Sequence, residues 1–296
     1  HIDVQYVETK SHLIFLRRSR QIIRNIKPNT VISFEYFYNM CAVLICLGLN
    51  VKLLISERND PARVGSGFIK SRIRNILYSF ADVLICQTDD AKNYFPDYIR
   101  KKVFIILNPI MSGLPSKQEK VRDKVIVNFC RLNKQKNIPL LISAFEEFCN
   151  IHPDYELHIY GDGAEKETIL DIIYSKHLER IIKVFPNTPN VHELVINAAM
   201  FVSTSDFEGL SNSMLEALSM GLPTICTDCP CGGARMVIED GVNGFLIPVN
   251  NQKSLVDKML LIAGSSELTI KLSNNALKIN NKLNVDNICK QWISLL

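Results

Sequence analysis

The chain has 296 residues, 47% of them apolar, enough for one large or two medium domains with full cores. Its net charge of +4 is too mild to call for nucleic acid, though it suits a phosphorylated substrate or an anionic surface. Nine cysteines, scattered and odd in number, favour free thiols in a reducing compartment, and the longest apolar run, Met40 to Leu49, is too short to span a bilayer.

The chain opens on His1-Ile-Asp-Val-Gln-Tyr-Val, which reads as the middle of a larger protein. Ser11 to Ile26 predicts a helix with a basic face, Arg17, Arg18, Arg20 and Arg24, followed by Lys27. That face suits a membrane surface or an acceptor phosphate, and equally a plain solvated helix face. Pro28 stops the helix. Thr30 to Phe34 predicts a buried strand, Tyr36 to Leu47 an apolar helix, and Val51 to Ser56 the next strand. That strand runs into Glu57-Arg58-Asn59-Asp60-Pro61, at the strand end where open α/β sheets bind ligands. The alternative for Glu57 and Arg58 is a local ion pair holding the loop. Phe68 to Phe80 predicts another basic helix, through Lys70, Arg72 and Arg74. Asp82 to Cys86 is a strand, Thr88 caps the helix after it, and Val103 to Leu107 is a further strand.

Met111 to Arg122, with Gly113, Pro115 and a basic run, is the linker candidate. A second alternating series follows. Its strands are Lys124 to Phe129, Tyr155 to Tyr160, Ile181 to Phe185, Ala199 to Val202, Pro223 to Thr227 and Phe245 to Ile247. Its helices lie near Pro139 to Asn150, Ala164 to Lys176, Val191 to Asn197, Leu210 to Met220 and Ser254 to Ala263, with terminal helices over Ser266 to Asn280 and Val285 to Leu296. Such alternation implies parallel sheets covered on both faces, in two doubly wound units with a cleft between them.

The chemistry concentrates in the second series. Ser203 to Gly209 is a small polar loop between a strand and a helix, and two carboxylates bracket this turn, Glu208 in the loop and Glu216 one to two turns into the helix. Backbone N–H groups at the helix start suit phosphate, and the carboxylates suit sugar hydroxyls. Glu216 also fits a capping box with Ser213. Arg131 and Lys136 flank the exit of the first strand of this series, beside a helix start, where two cations can neutralise a diphosphate. Gly161-Asp162-Gly163 is a tight turn; Lys166 stands where a dinucleotide fingerprint needs its third glycine. Cys226, Cys229 and Cys231 have no second cluster or nearby histidine to complete a zinc site, and no Asp-x-Asp pair exists to hold a magnesium diphosphate.

Taken together, Arg131-Leu-Asn-Lys-Gln-Lys136-Asn, Tyr160-Gly-Asp-Gly163, Glu208 through Glu216 to Pro223, Gly232-Gly233 and Glu239-Asp-Gly-Val-Asn-Gly-Phe-Leu resemble the retaining GT-B glycosyltransferases of family 4. That family is marked by two glutamates separated by seven residues, as Glu208 and Glu216 are. Residues 124 to 250 carry most of the resemblance. Ser56 to Pro61 and Ala81 to Thr88 match more loosely, in the manner of enzymes assembling bacterial capsule, exopolysaccharide or O-antigen.

The resemblance implies an α/β, GT-B fold, two Rossmann-like domains facing across a cleft, the first lacking roughly sixty to seventy N-terminal residues. Residues 1–115 would form the acceptor domain, 116–283 the donor domain, and 284–296 a helix packing back towards the first. It implies transfer of a sugar from a nucleotide-sugar donor, in the first instance a UDP-sugar, to a glycan or polyprenyl-linked acceptor with retention of configuration. No metal or other cofactor and no nucleic acid is expected. Arg131 and Lys136 would hold the donor diphosphate, and Gly209, Leu210 and Ser211 would cradle phosphate with their backbone. Glu208 would meet the donor sugar, Glu216 the ribose, and the turn after Phe185 the nucleobase. Many members place a histidine in the first domain near the reacting carbon; Glu57 stands at the comparable strand end here and is the acceptor-side catalytic candidate. A non-catalytic GT-B subunit and a GT-B nucleotide-sugar epimerase remain as alternatives. The expected location is cytoplasmic, with a peripheral contact to the inner face of the plasma membrane through Arg17, Arg18, Arg20 and Arg24.

Overall fold

The computed structural model describes residues 2–116 and 121–296; His1 and the basic end of the expected linker, 117–120, lie outside the described residues. The chain divides into two compact units, His1–Leu107 with Lys290–Leu296, and Asn108–Cys289. These boundaries differ from the expected ones at 115 and 283, for local reasons. Asn108 donates through Nδ2 to the Asn212 side chain at 2.7 Å, and the Ile110 amide to the Leu283 carbonyl at 2.8 Å, which ties 108–110 to the second unit. At the other end Trp292 packs on Phe34 with 5.6 Å between ring centroids, and Arg58 lies over both rings, so the last residues belong with the first unit.

The first unit holds helices α1 (His12–Ile26), α2 (Tyr36–Cys46), α3 (Phe68–Tyr78), α4 (Asp89–Tyr94) and α5 (Asp97–Arg100). Its strands are β1 (Thr30–Phe34), β2 (Lys52–Ser56), β3 (Val83–Cys86) and β4 (Val103–Ile105), all parallel and side by side in chain order. Apolar runs without alternation, as in Leu53-Leu54-Ile55 and Val83-Leu84-Ile85-Cys86, are buried throughout, as expected for inner parallel strands. Thr88 caps α4 as expected, its Oγ1 accepting from the Ala91 amide at 3.0 Å. Arg74, grouped with the basic face of α3 in the sequence, is instead wholly buried. Its guanidinium donates to the Pro61 carbonyl at 2.7 Å and lies over Tyr94 and Phe95.

The second unit contains β5 (Asp123–Phe129), α6 (Ile138–Cys149), β6 (Glu156–Tyr160), α7 (Lys166–Ser175), β7 (Ile182–Phe185), α8 (Val191–Val195), β8 (Ala198–Ser203), α9 (Asn212–Ser219), β9 (Thr224–Thr227), β10 (Phe245–Ile247), α10 (Gln252–Gly264), α11 (Ser266–Ala276) and α12 (Ile279–Lys282), and the last helix, α13 (Val285–Ile293), begins in it and ends among the residues of the first unit. The single helix expected over Ser266 to Asn280 breaks between α11 and α12. The six strands are parallel in the order β10-β9-β8-β5-β6-β7. Its core joins Ile126, Leu157, Ile159, Met200, Val202 and Ile225 of the sheet to Leu141, Phe145 and Phe148 of α6 and Leu255 and Met259 of α10. Arg122 braces the amino ends of the inner strands, donating to the carbonyls of Ala198, at the start of β8, and Gly221, shortly before β9. Among the described residues no helix is long and apolar enough to cross a membrane.

Candidate functional site

In the second sheet the chain winds from β5 through β6 to β7 on one side, then returns and winds from β8 through β9 to β10 on the other. β5 and β8 are therefore neighbours, with Val127 opposite Phe201, and the winding direction reverses between them. At such a switch point the loops leaving the carboxyl ends of the two strands diverge to opposite faces and leave a crevice. Those two loops are the ones that carry Arg131 and Lys136, and Glu208 to Ser211.

The loops are stitched together by backbone and amide groups. The Asp206 amide donates to the Gln135 carbonyl at 2.9 Å, and Gln135 Nε2 donates to the Phe207 carbonyl at 2.8 Å. Thr204 Oγ1 donates to the Lys136 carbonyl at 3.0 Å, and Asn137 Nδ2 to Asp206 Oδ1 at 2.8 Å. This lattice presents Lys136 Nζ to Glu208 Oε2, an ion pair to which Ser205 Oγ adds a donor at 3.3 Å. Lys136 is only 8% exposed, so its ammonium requires a partner in place of water, and Glu208 supplies it. The Glu208 backbone is clamped on both sides, its amide donating to the Pro230 carbonyl at 2.7 Å and its carbonyl accepting from Cys231 N at 3.1 Å. Gly233 closes the turn over this clamp: a Cβ there would stand 1.6 Å from the Gly209 carbonyl oxygen.

Helix α9 begins one step beyond. Its cap is Ser211, whose Oγ accepts from the Met214 amide, which corrects the expected capping box between Ser213 and Glu216. Glu216 is freed from capping and is hydrogen-bonded instead to His192, with Oε2 3.0 Å from Nε2. The imidazole meets Phe129 edge to face, with centroids 5.9 Å apart. Sequence reading passed over His192; a lone histidine on a short helix carries no signal until β5 and β8 place its helix beside α9.

Arg131 is exposed, and among the described residues its guanidinium has no hydrogen-bond or ion-pair partner. It lines a groove of ≈ 380 Å³ with Tyr160, Asp162, Asn187, His192 and Glu216. Asp162 shapes the rim, its carboxylate accepting from the Asn187 amide at 2.8 Å and from Lys166 Nζ at 2.7 Å. The turn that carries Asp162 admits only glycine at Gly163, the next residue, where a Cβ would lie 2.2 Å from the Leu132 carbonyl oxygen. A larger cavity, ≈ 720 Å³, opens at the opposite ends of the strands beside Arg122, Lys124 and Tyr155, and contains none of the candidate residues.

Three cysteines near the crevice, Cys130, Cys226 and Cys229, are held in the thiol form by burial. Burial pushes Cys130 and Cys229 each up to about 12, and raises Cys226 as well. Among the described residues no group of three or more His, Cys, Asp and Glu side chains is placed to hold a metal ion.

Glu57, in the first unit, stands just past the end of β2 as expected and is enclosed there. It is 3% exposed and accepts a short hydrogen bond from the Tyr78 hydroxyl, which itself accepts from Asn39 Nδ2 at 3.3 Å. Burial pushes the Glu57 carboxyl above the ordinary range; the Tyr78 bond and Arg74 oppose this, and Glu35 adds to it. The folded state therefore keeps a proton that the unfolded chain has already lost. Its contribution to stability is full below the unfolded carboxylate pKa, about 4.3, and is lost as pH rises through the raised folded value. Glu57→Gln is expected to lose less melting temperature than the parent protein between about pH 5 and 8. Thermal melts across that range check this; equal losses would mean that Glu57 ionises without penalty.

Known proteins similar to this chain include the following three. The N-acetylgalactosamine-N,N'-diacetylbacillosaminyl-diphospho-undecaprenol 4-alpha-N-acetylgalactosaminyltransferase of Campylobacter jejuni is 26% identical over 273 residues, 87% of this chain and 73% of that protein. Anabaena HepE in complex with UDP-glucose has a TM-score of 0.85 at 18% identity, covering 95% of this chain and 82% of that one. A mutant of S. aureus TarM in complex with fondaparinux, alpha-GlcNAc-glycerol and UDP has a TM-score of 0.81 at 21% identity. The match to TarM covers 95% of this chain but only 58% of TarM. With two parallel-sheet α/β units, these likenesses give the fold as GT-B. Residues 114–279, more than half of the chain and including every candidate residue of the crevice, match the family model "Glycosyl transferases group 1", and the chain belongs to that family.

Proposed function

We propose that this chain moves a sugar from a UDP-sugar to a glycan or polyprenyl-linked acceptor with retention at the anomeric carbon, and does so without a resident metal. The observation that carries the proposal is the crevice between β5 and β8, where Lys136 meets Glu208 and Arg131 and Glu216 line one groove. The UDP complexes of HepE and TarM support the choice of donor, and the undecaprenol-linked substrate in the name of the Campylobacter relative supports the class of acceptor.

On this reading Arg131 and Lys136 take the diphosphate, and the backbone of Gly209, Leu210 and Ser211 at the start of α9 takes phosphate oxygens. Glu208 accepts from donor sugar hydroxyls. Glu216, oriented by His192, accepts from the ribose through the oxygen His192 leaves open. The bond between anomeric carbon and phosphate oxygen breaks with its electron pair leaving on the nucleoside diphosphate. The two cations and the N-terminus of α9 stabilise that charge as it develops. The acceptor oxygen bonds to the anomeric carbon on the face the phosphate leaves, and its proton passes to the departing phosphate. Glu57, enclosed by its hydrogen bonds, is left out of the reacting set. A lipid-linked acceptor brings the enzyme to a membrane surface, with the exposed Arg17, Arg18 and Arg24 of α1 as contacts; Arg20 is turned inward to the Ile45 carbonyl.

A panel of UDP-, GDP- and ADP-sugars scored by thermal shift tests the donor assignment. UDP-sugars at about 100 times Kd are expected to stabilise the protein by about 2.7 kcal/mol, a shift of several degrees. A panel in which no nucleotide sugar shifts the melt overturns the proposal.

A further inference from the structure

Helix α3 has its polarity reversed. Towards the interior it presents Ser71, Arg74, Asn75 and Tyr78, of which Arg74 and Tyr78 are fully buried. Towards solvent it presents Ile69, Ile73 and Ile76, continued one turn on by Phe80, with exposures from 50% for Ile73 to 71% for Ile69. Spaced four, three and four residues apart, these four side chains form one stripe. Lys70 and Arg72 stand beside it, and the Arg72 guanidinium lies 4.8 Å from the centroid of the exposed Phe68 ring. A core helix of a water-soluble protein turns such a stripe inward, so an outward one calls for an occupant.

The neighbouring helices share the same character. α1 and α3 both pack on α2, α1 through His12 on Phe37 and Phe15 on Tyr38. α2 leaves Phe37, Tyr38 and Leu44 exposed. α1 carries exposed Arg17, Arg18 and Arg24, with Lys27 just past its end. None of the three helices contains an Asp or Glu.

We propose that the exposed side of α1, α2 and α3 is a docking face for an anionic membrane surface, with the α3 stripe seated at the level of the lipid headgroups. The argument is charge complementarity. Cations flank apolar tips with no carboxylate among them, which matches negative headgroups over an apolar interior. A second copy of the chain would set cation against cation on this face, which disfavours self-association. No described helix is able to span a bilayer, so the contact is interfacial. This deepens the lipid-linked acceptor reading and rests on it, and it extends the contact from the arginines of α1 to an inserted stripe on α3.

Vesicle co-sedimentation tests it, using the full chain with phosphatidylcholine vesicles containing phosphatidylglycerol or lacking it. The protein is expected to bind the anionic vesicles at least about tenfold more tightly, and to lose that advantage in high salt. Ile73→Ser with Ile76→Ser, and separately Lys70→Ala with Arg72→Ala, are each expected to weaken binding about tenfold or more. All four residues are exposed, and melting curves and UDP calorimetry on the same samples confirm that the variants are folded. Equal binding to both vesicles, no binding, or full binding by both variants overturns the proposal. So does a dimer in gel filtration that the Ile73→Ser, Ile76→Ser variant dissolves. UDP binding without vesicle binding sinks the membrane face alone, whereas vesicle binding without UDP binding sinks the donor reading alone.

Discussion

Glu208→Gln is expected to slow sugar transfer by on the order of 10²-fold or more while leaving the protein folded. Gln has the size of Glu and still accepts from Ser205 Oγ, and the backbone clamp to Pro230 and Cys231 does not depend on the side chain. What is lost is the negative charge. Its loss leaves the Lys136 ammonium, nearly buried, without its counter-charge, so Lys136 no longer holds the position in which it would meet a diphosphate. It also removes the acceptor we assign to the donor sugar's hydroxyls. Release of UDP and formation of glycoside, followed by chromatography at saturating donor, measure the rate. A variant with the parent's turnover and melting temperature would remove Glu208 from the reaction, and the assignment of the site with it.

The second large effect is on binding. Replacing Arg131 and Lys136 together by alanine is expected to weaken UDP binding by at least about 10²-fold, since each charge-assisted hydrogen bond contributes about 1.5–3 kcal/mol. Uridine, which has no phosphate, serves as the control. On the proposed reading its contacts would fall to Glu216 and the rim near Asn187, which line the groove, so its affinity is expected to be unchanged. Calorimetry with both ligands separates the outcomes. A parallel loss for uridine would mean that the groove has collapsed, and unchanged UDP affinity would remove both cations from the diphosphate site. Because Glu208 loses its partner when Lys136 is truncated, adding Glu208→Gln to the pair keeps that carboxylate from standing unpaired.

Much of the local structure was legible in the chain. The strands Thr30 to Phe34 and Phe245 to Ile247 match the expected residues, because apolar β-branched runs bounded by Pro28 or by Gly244 favour a short strand, but the first is not the buried strand expected: β1 lies at the sheet edge among the described residues, with Ser33 buried and Ile32 and Phe34 exposed. Thr88 caps its helix as expected, because a cap depends only on residues within one turn. The errors share one cause, which is that side-chain surroundings are set by distant parts of the chain. Arg74 looks like the neighbouring Arg72 in sequence, yet it is enclosed by Pro61, Tyr94 and Phe95. Glu57 stands at a strand end as predicted, but Tyr78 draws its carboxylate inside.

The chain by itself determined the alternation of strands and helices, the glycines at the tight turns, and the residue types gathered after two strands, since these follow from periodicity and local backbone sterics. Only the tertiary structure decided that the strand after α8 returns beside β5, because strand order depends on pairing between segments far apart in the chain. That single choice brings Lys136 to Glu208, 72 residues on, and His192 to Glu216, 24 residues on. Each contact satisfies a partly buried charge that local sequence leaves open, and for that reason the site could be suspected from its residues but assembled only by the fold.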